Sequence, residues 1–282
     1  MNKTGKLYVV ATPIGNMDDI TVRAIRTLSS ADIIAAEDTR QTGKLLASHD
    51  IKGKLVSCHE HNEKYRTPEL IRKLKEGMSV ALVSDAGTPS VSDPGYRLVK
   101  KAIESDITVI PVPGVSALIT ALSVSGLPTD AFTFTGFPAK KKGKRLSQLN
   151  SLADKSETLV FYESPKRILT FLEEIISVMG DRYAVLSREM TKVHEEFLRG
   201  KLSEIINILK DRPLVKGECT LLLMGAGDGE TVSPETLRAE IEMGLGEGNI
   251  RLSELSRNIS EKYGISKKKV YAEALAIKEN MT

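Results

Sequence analysis

The sequence predicts an α/β protein with two sheet-containing domains and a small helical tail, and three observations carry that reading. The first hundred residues alternate short, continuous apolar runs with amphipathic stretches, the pattern of a mostly parallel sheet covered on both faces. The alternation resumes after Gly114, but there one pair of runs lies too close for a crossover helix, so the second sheet must contain antiparallel pairs. From Pro234 onward every segment has helical spacing. At roughly 100–200 residues per domain, a 282-residue chain has room for about two such domains. The boundaries read as 1–115, 116–229 and 230–282, with the glycine-rich stretch 225–229 as a linker.

In chain order, residues 7–11 (LYVVA) form a buried strand stopped by Pro13 and Gly15. Asp18 and Asp19 precede a helix with Ile20, Ala24 and Leu28 on one face. Residues 32–36 and 54–58 are the next strands. Thr67-Pro68-Glu69 has the marks of a helix start: a capping residue, a proline at the first helical position and an acid in the first turn. Strands at 79–83 and 107–110 flank a helix that Asp93-Pro94 would open, with Asp93 as its cap. A helix over 115–125 ends in Gly126-Leu127-Pro128, a candidate joint. Strands at 131–135, 158–162, 182–187, 195–199 and 219–224, with helices near 144–152, 165–178 and 202–209, complete the second domain. In the tail, two helical segments flank Tyr263-Gly264-Ile265-Ser266 like a helix-turn-helix, the second opening on Lys267-Lys268-Lys269. RNA contact, dimer packing and DNA recognition are its three readings, and its balanced charge argues against the last.

Composition excludes several classes. Forty basic against 37 acidic residues leave a net charge of +3, so any nucleic-acid surface is local rather than global. Two cysteines build neither a disulfide framework nor a four-cysteine zinc module. No uncharged stretch approaches the ~20 residues of a membrane helix, and the N-terminal apolar run is too short for a signal peptide, so a cytoplasmic protein without a membrane partner is expected. Gly225-Ala226-Gly227-Asp228-Gly229 lacks the βαβ context of a dinucleotide loop, and no phosphate-binding GxxxxGK[ST] occurs. Cys58-His59-Glu60-His61 groups metal-ligand types, but a polar strand end lining a pocket is the better reading, and no metal is expected.

Four loops follow predicted parallel strands and gather at their carboxyl ends, where α/β sheets bind ligands. They are Thr12–Asn16 (TPIGN), Glu37–Arg40 (EDTR), the long loop SDAGTPSVSDPG over 84–95, and PVPGVSA over 111–117. Small residues admit a ligand close to the backbone, and Asp85 offers an acceptor to an amine or hydroxyl. A helix cap explains Asp93-Pro94 but not the rest of so long a loop. Lys140, Lys141, Lys142, Lys144 and Arg145 follow a predicted strand end, and Arg167 follows another. Clustered cations of this kind suit a phosphate backbone.

LYVVATPIGN, AEDTR, HEHNE, VSDAGTPSVSDPG, PVPGVSALITAL, FTFTGFP and LVFYESPKR, in that order, resemble the ribosomal RNA small subunit methyltransferase I branch of the tetrapyrrole methylases. The likeness spans residues 7–224, and the branch typically carries a helical tail. Lys166 departs from the branch, whose form of the last motif has histidine there. The resemblance implies a homodimer of two α/β domains with S-adenosylmethionine in the cleft between them. It also implies 2′-O-methylation of a decoding-centre cytidine in 16S rRNA, as free RNA or in the 30S subunit. By the same resemblance Pro13, Ser84, Asp85, Ala86, Pro89, Val91, Ser92 and Ser116 hold the cofactor from the first domain, with Tyr162 and Met190 from the second. Glu37 or Asp38 is the expected base, with Arg40 placing a phosphate and His61 as the alternative base. Lys140–Lys142, Lys144, Arg145 and Arg167 are the expected RNA contacts. A small-molecule methyltransferase of the same fold and a ligand-sensing DNA-binding regulator are the competing readings; the basic rim argues against the first.

Overall fold

Strands buried on both faces explain the continuous apolar runs of the first half. The computed structural model of the chain describes residues 4–226, 234–246, 251–263 and 267–280. Its first sheet contains β1 (Lys6–Val10), β2 (Ile33–Ala36), β3 (Leu55–Ser57), β4 (Val80–Val83) and β5 (Thr108–Val112), in the order β3-β2-β4-β1-β5. All its pairings are parallel. Successive side chains alternate between two cores. On one face Leu7, Ala35, Val80 and Leu82 pack with Leu70 and Leu74 of α3 (Glu63–Lys75) and Leu98 and Ala102 of α4 (Tyr96–Ile103). On the other, Val10, Ile34, Ala81 and Val83 pack with Ala24 and Leu28 of α1 (Val22–Ser30) and Leu45 and Leu46 of α2 (Thr39–Ser48).

Two local expectations need correction, and one helix, at residues 39–48, is added to them. The helix after β1 is capped by the Thr21 side chain, which accepts from the Ala24 amide; Asp18 and Asp19 form a separate 3-10 turn. Residues 39–48 are a helix with only a narrow apolar stripe and Gly43 in its middle, a weak periodic signal for a helix that packing nonetheless stabilises. Helix α3 starts at Glu63, not Thr67, and carries Pro68 in its second turn.

Glu63, the first residue of α3, caps the neighbouring helix. The Glu63 side chain, 5% exposed, accepts hydrogen bonds from the amides of Gly95 (3.1 Å), Arg97 (2.8 Å) and Leu98 (3.3 Å). A carboxylate thus satisfies the orphan N–H groups of α4 from a neighbouring helix, and Asp93 is not the cap. Glu63→Ala is expected to lower stability by about 2–3 kcal/mol, with Glu63→Gln less costly because its amide oxygen still accepts. Urea melts of both variants check this; equal stability of all three proteins would refute it.

The second sheet contains β6 (Phe132–Phe134), β7 (Thr158–Glu163), β8 (Tyr183–Arg188), β9 (Glu196–Lys201) and β10 (Cys219–Leu223), ordered β6-β7-β10-β8-β9. Only β6 and β7 are parallel; β8 and β9 form the expected antiparallel pair. Phe161, Leu186 and Leu221 pack against α7 (Ile168–Met179) and α8 (Leu202–Lys210). Between the sheets' segments lies α5 (Ala117–Ser123), and α6 (Lys142–Leu152) precedes β7. The tail has its own core, in which Ile241 of α9 (Pro234–Gly246), Ile259 of α10 (Leu252–Tyr263) and Val270 and Ala274 of α11 (Lys267–Asn280) meet. Part of the glycine-rich linker and the Gly264-Ile265-Ser266 turn lie outside the described residues. Among the described residues no helix is long and apolar enough to cross a membrane.

Contacts divide the chain into two compact units, Met1–Thr120 with Met190–His194, and Ala121–Glu189 with Glu195–Thr282. The segment Met190–His194, from the connection between β8 and β9, therefore belongs with the first sheet.

Candidate active site

At the carboxyl edge of the first sheet the loops after β1 and β4 are joined. The amides of Thr12 and Gly87 each donate to the other's carbonyl (2.8 and 3.0 Å), and the Thr12 hydroxyl donates to the Ser84 carbonyl (3.2 Å). Thr88 donates to the Val115 carbonyl (3.1 Å), tying in the loop after β5. Pro13, Ser84 and Pro89 are buried; Ala86 and Ser116 are half-buried, and Asp85, Val91 and Ser92 exposed. Ser90 and Ser92 both adopt left-handed backbone, φ 71° and 64°, conformations that non-glycine residues hold only where the surroundings impose them. No simple cap requires that strain. The Ser90 hydroxyl is buried without a hydrogen-bond partner.

Carboxylates face one another along this edge. Asp85 accepts from the Asp38 amide (2.9 Å), and Glu37 accepts from the Asp85 amide (3.3 Å). Burial, then the Asp85 charge, raises the Glu37 carboxyl above its ordinary value, while its backbone hydrogen bond and nearby His59 pull it down. Asp85 is raised as well, chiefly by burial. Asp93, released from capping, is pushed up to about 6 by burial and by the Glu37 charge, against a hydrogen bond with Ser84. Such a set favours a bound cation, whose charge would relieve the repulsion. Affinity for a cationic ligand should therefore rise as pH increases from 5 to 7 and Asp93 ionises. Calorimetry of S-adenosylmethionine against its neutral demethylated product, with Asp93→Asn flattening the difference, is the check. For folding the sign is opposite: a raised carboxyl loses stability as pH climbs from about 4 to about 6.

The expected catalytic residues separate. Glu37 is half-buried at the edge. Asp38 is committed elsewhere: it caps α2 through the Arg40 amide (2.8 Å) and pairs with the Arg40 guanidinium (2.7 Å), which holds its carboxyl down to about 2. It is a poor base, and Arg40, paired with it, keeps a largely exposed side chain. His61 is exposed. Its neighbour His59 is the histidine near Glu37, with a buried Nδ1 lacking a partner and its ring 6.0 Å from that of His61. Strand alternation puts both on one face of an extended segment, but the chain turns at residue 60, so that the rings meet edge-on with His59 half-buried and His61 exposed. Among the described residues no group of three or more His, Cys, Asp or Glu side chains is placed to hold a metal ion.

In the second unit Tyr162 stacks edge-on against Phe134 (4.9 Å) and near Phe137 (5.6 Å). Met190, expected from the second domain, is buried and groups with the first unit. There the carbonyl of Met190 and the side chains of Thr191 and Lys192 lie where a Cβ on Gly15 would fall, and Thr191 Oγ1 accepts from the Asn16 amide (3.0 Å). A glycine is needed because the segment crosses its backbone closely. Lys140, Lys141, Lys142 and Lys144 are exposed. Arg145 is not: it donates twice to Glu174 (2.5 and 2.7 Å) and to the carbonyls of Ala139 and Lys140 (3.0 Å each), so it anchors the basic loop instead of reaching a ligand. Arg167 is partly exposed and pairs with buried Glu163 (2.6 Å).

Residues 6–206 match the family model described as Tetrapyrrole (Corrin/Porphyrin) Methylases. The chain is 46% identical over 276 residues to a protein of Halalkalibacterium halodurans named ribosomal RNA small subunit methyltransferase I, covering 95% of this chain and 93% of that one. It is 44% identical to the protein of that name from Escherichia coli O157:H7, covering 97% and 96%. Among solved structures, uroporphyrin-III C-methyltransferase from Thermus thermophilus complexed with S-adenosyl homocysteine superposes with a TM-score of 0.56 at 21% identity, over 81% of this chain and all of that one, a likeness of fold.

Proposed function

The chain belongs to the tetrapyrrole methylase family, on its ribosomal RNA small subunit methyltransferase I branch, and from that premise we propose that it methylates the 2′-oxygen of a decoding-centre cytidine in 16S rRNA. It is an S-adenosylmethionine-dependent rRNA methyltransferase, acting as a homodimer in our reading. What carries the reading is likeness over nearly the whole length to proteins of that name. The residues present fit the cofactor: an orphaned buried hydroxyl at Ser90, strained loop backbone and carboxylates raised by burial and then by one another's charge suit a polar, cationic ligand. Pro13, Ser84, Asp85, Ala86, Pro89, Val91, Ser92 and Ser116 would hold it, with Tyr162 and Met190. Bound there, the cofactor supplies an electrophilic methyl group on a sulfonium.

The protein's own task is to place the ribose oxygen in line with that methyl and to take its proton. Positioning accounts for most of the acceleration in such a displacement. A ribose hydroxyl is a weak acid, and Glu37, whose carboxyl burial raises above its ordinary value, is the base we assign. Lys140, Lys141, Lys142 and Lys144 would bind phosphates of the RNA. The deciding experiment incubates the protein with methyl-labelled S-adenosylmethionine and 30S subunits lacking the modification, then maps label by nuclease digestion and mass spectrometry. Label on one cytidine's 2′-oxygen is the expected result. Label on naked 16S rRNA alone would move the substrate to an earlier assembly stage, and no label on either would overturn the reading.

A further inference from the structure

The catalytic edge is acidic, so it cannot by itself hold a polyanion; an RNA substrate has to be gripped next to it. Helices α3 and α4 both begin at that edge and run back along one face of the first sheet, as helices in parallel α/β units do. A groove of about 1330 Å³ runs between them. Its cations are Lys64, Arg72, Lys75, Arg97, Lys100 and Lys101, and its acids are Glu76, Glu104 and Asp106. The groove's net charge of +3 equals that of the whole chain.

The charge is also graded. Every acid lies at the far end, where Glu76 pairs with Arg72 (3.5 Å) and Glu104 with Lys101 (3.2 Å). At the end beside the active site stand Lys64 and Arg97, the latter 3.9 Å from buried Glu63, with Tyr96 65% exposed. Lys64 and Lys75 have no ion-pair partner among the described residues. At 1.5 Å per residue the thirteen residues of α3 give the groove a length of ~20 Å, enough for several consecutive phosphates. Buried Glu63 ties the two walls together, so the cations are held on a rigid frame.

We propose that the α3/α4 groove is an RNA-binding track that grips the phosphate backbone flanking the target nucleotide and leads it to the carboxyl edge of the first sheet. The inference rests on the rRNA reading above. A second copy of the chain is a poor occupant, because a two-fold contact would set this positive groove against itself. Exposed Tyr96 adds a stacking face for a base next to the cations.

The test uses full-length protein carrying Lys64→Gln, Lys75→Gln and Lys100→Gln together, all surface changes outside the catalytic set. Binding to a 16S rRNA decoding-region fragment is titrated across salt, S-adenosylmethionine binding is measured by calorimetry, and mass by light scattering. The expected result is at least tenfold weaker RNA binding at 150 mM salt. The slope of log affinity against log salt should fall by about 2, as for three lost phosphate contacts, with cofactor affinity and mass unchanged. Unchanged RNA affinity and slope in a cofactor-competent variant would overturn the track and leave the enzymatic reading standing. A variant that loses a dimer seen in the parent would assign the groove to subunit contact and overturn it. If the unaltered protein binds cofactor but neither the rRNA fragment nor 30S subunits lacking the modification, the substrate reading falls and the track with it.

Discussion

Glu37→Gln is expected to reduce turnover about 100- to 10,000-fold, the range for removing a positioned general base, measured at saturating S-adenosylmethionine because the same charge also helps draw the cationic cofactor. The carboxyl sits at the end of β2, half-buried, with burial and Asp85 raising its pKa. Turnover in the unaltered protein should accordingly climb with pH through a value above that of an ordinary glutamate and then level. His59→Ala should give a smaller loss and shift that limb upward, since the nearby His59 charge pulls Glu37 down. His61→Ala should be near wild type, and Asp38→Asn should act on the stability of α2 and lower the pH limb only slightly, since the Asp38 charge is the smallest of the influences on Glu37. Full turnover in Glu37→Gln would refute the assignment, whatever the histidine variants do.

The second large effect concerns stability. Arg145→Met should destabilise the protein by about 3–5 kcal/mol, because it strands the Glu174 carboxylate among apolar side chains. Both partners are almost fully buried, with side chains 11% and 8% exposed. Replacing both, as Arg145→Met with Glu174→Leu, should recover much of the loss, since a well-packed apolar pair often equals a buried ion pair. The double variant also separates two roles. If Arg145 is an anchor, rRNA affinity and its salt slope stay near those of the parent, whereas neutralising Lys140, Lys141 and Lys142 lowers both. Denaturant melts and salt titrations of the same three proteins answer both questions; a salt slope reduced by one in the double variant would return Arg145 to the RNA surface.

Period and punctuation determined most of the architecture without any coordinates. Strands with both faces buried are apolar at every position, so β1, β2 and β4 stand out from the helices around them, and short spacing alone required β8 and β9 to be antiparallel. The order of the loop motifs determined the family, and with it the cofactor. Side-chain partnership was another matter. Thr67-Pro68-Glu69 and Asp93-Pro94 both look like local caps, but the groups that satisfy a helix end can come from anywhere in the fold, and Glu63 reaches α4 from 32 residues away. Arg145 is indistinguishable from its lysine neighbours as a letter in a basic run; only the packing of α6 against α7 turns it inward to Glu174. Likewise His59 and His61 are equivalent by spacing until the chain turns between them. Covalent neighbours and periodicity are local and are written along the chain, whereas burial and charge pairing depend on which distant segments meet. The sequence by itself determined where the loops gather and which cofactor the family uses; only the tertiary structure decided which charged groups of those loops remain available.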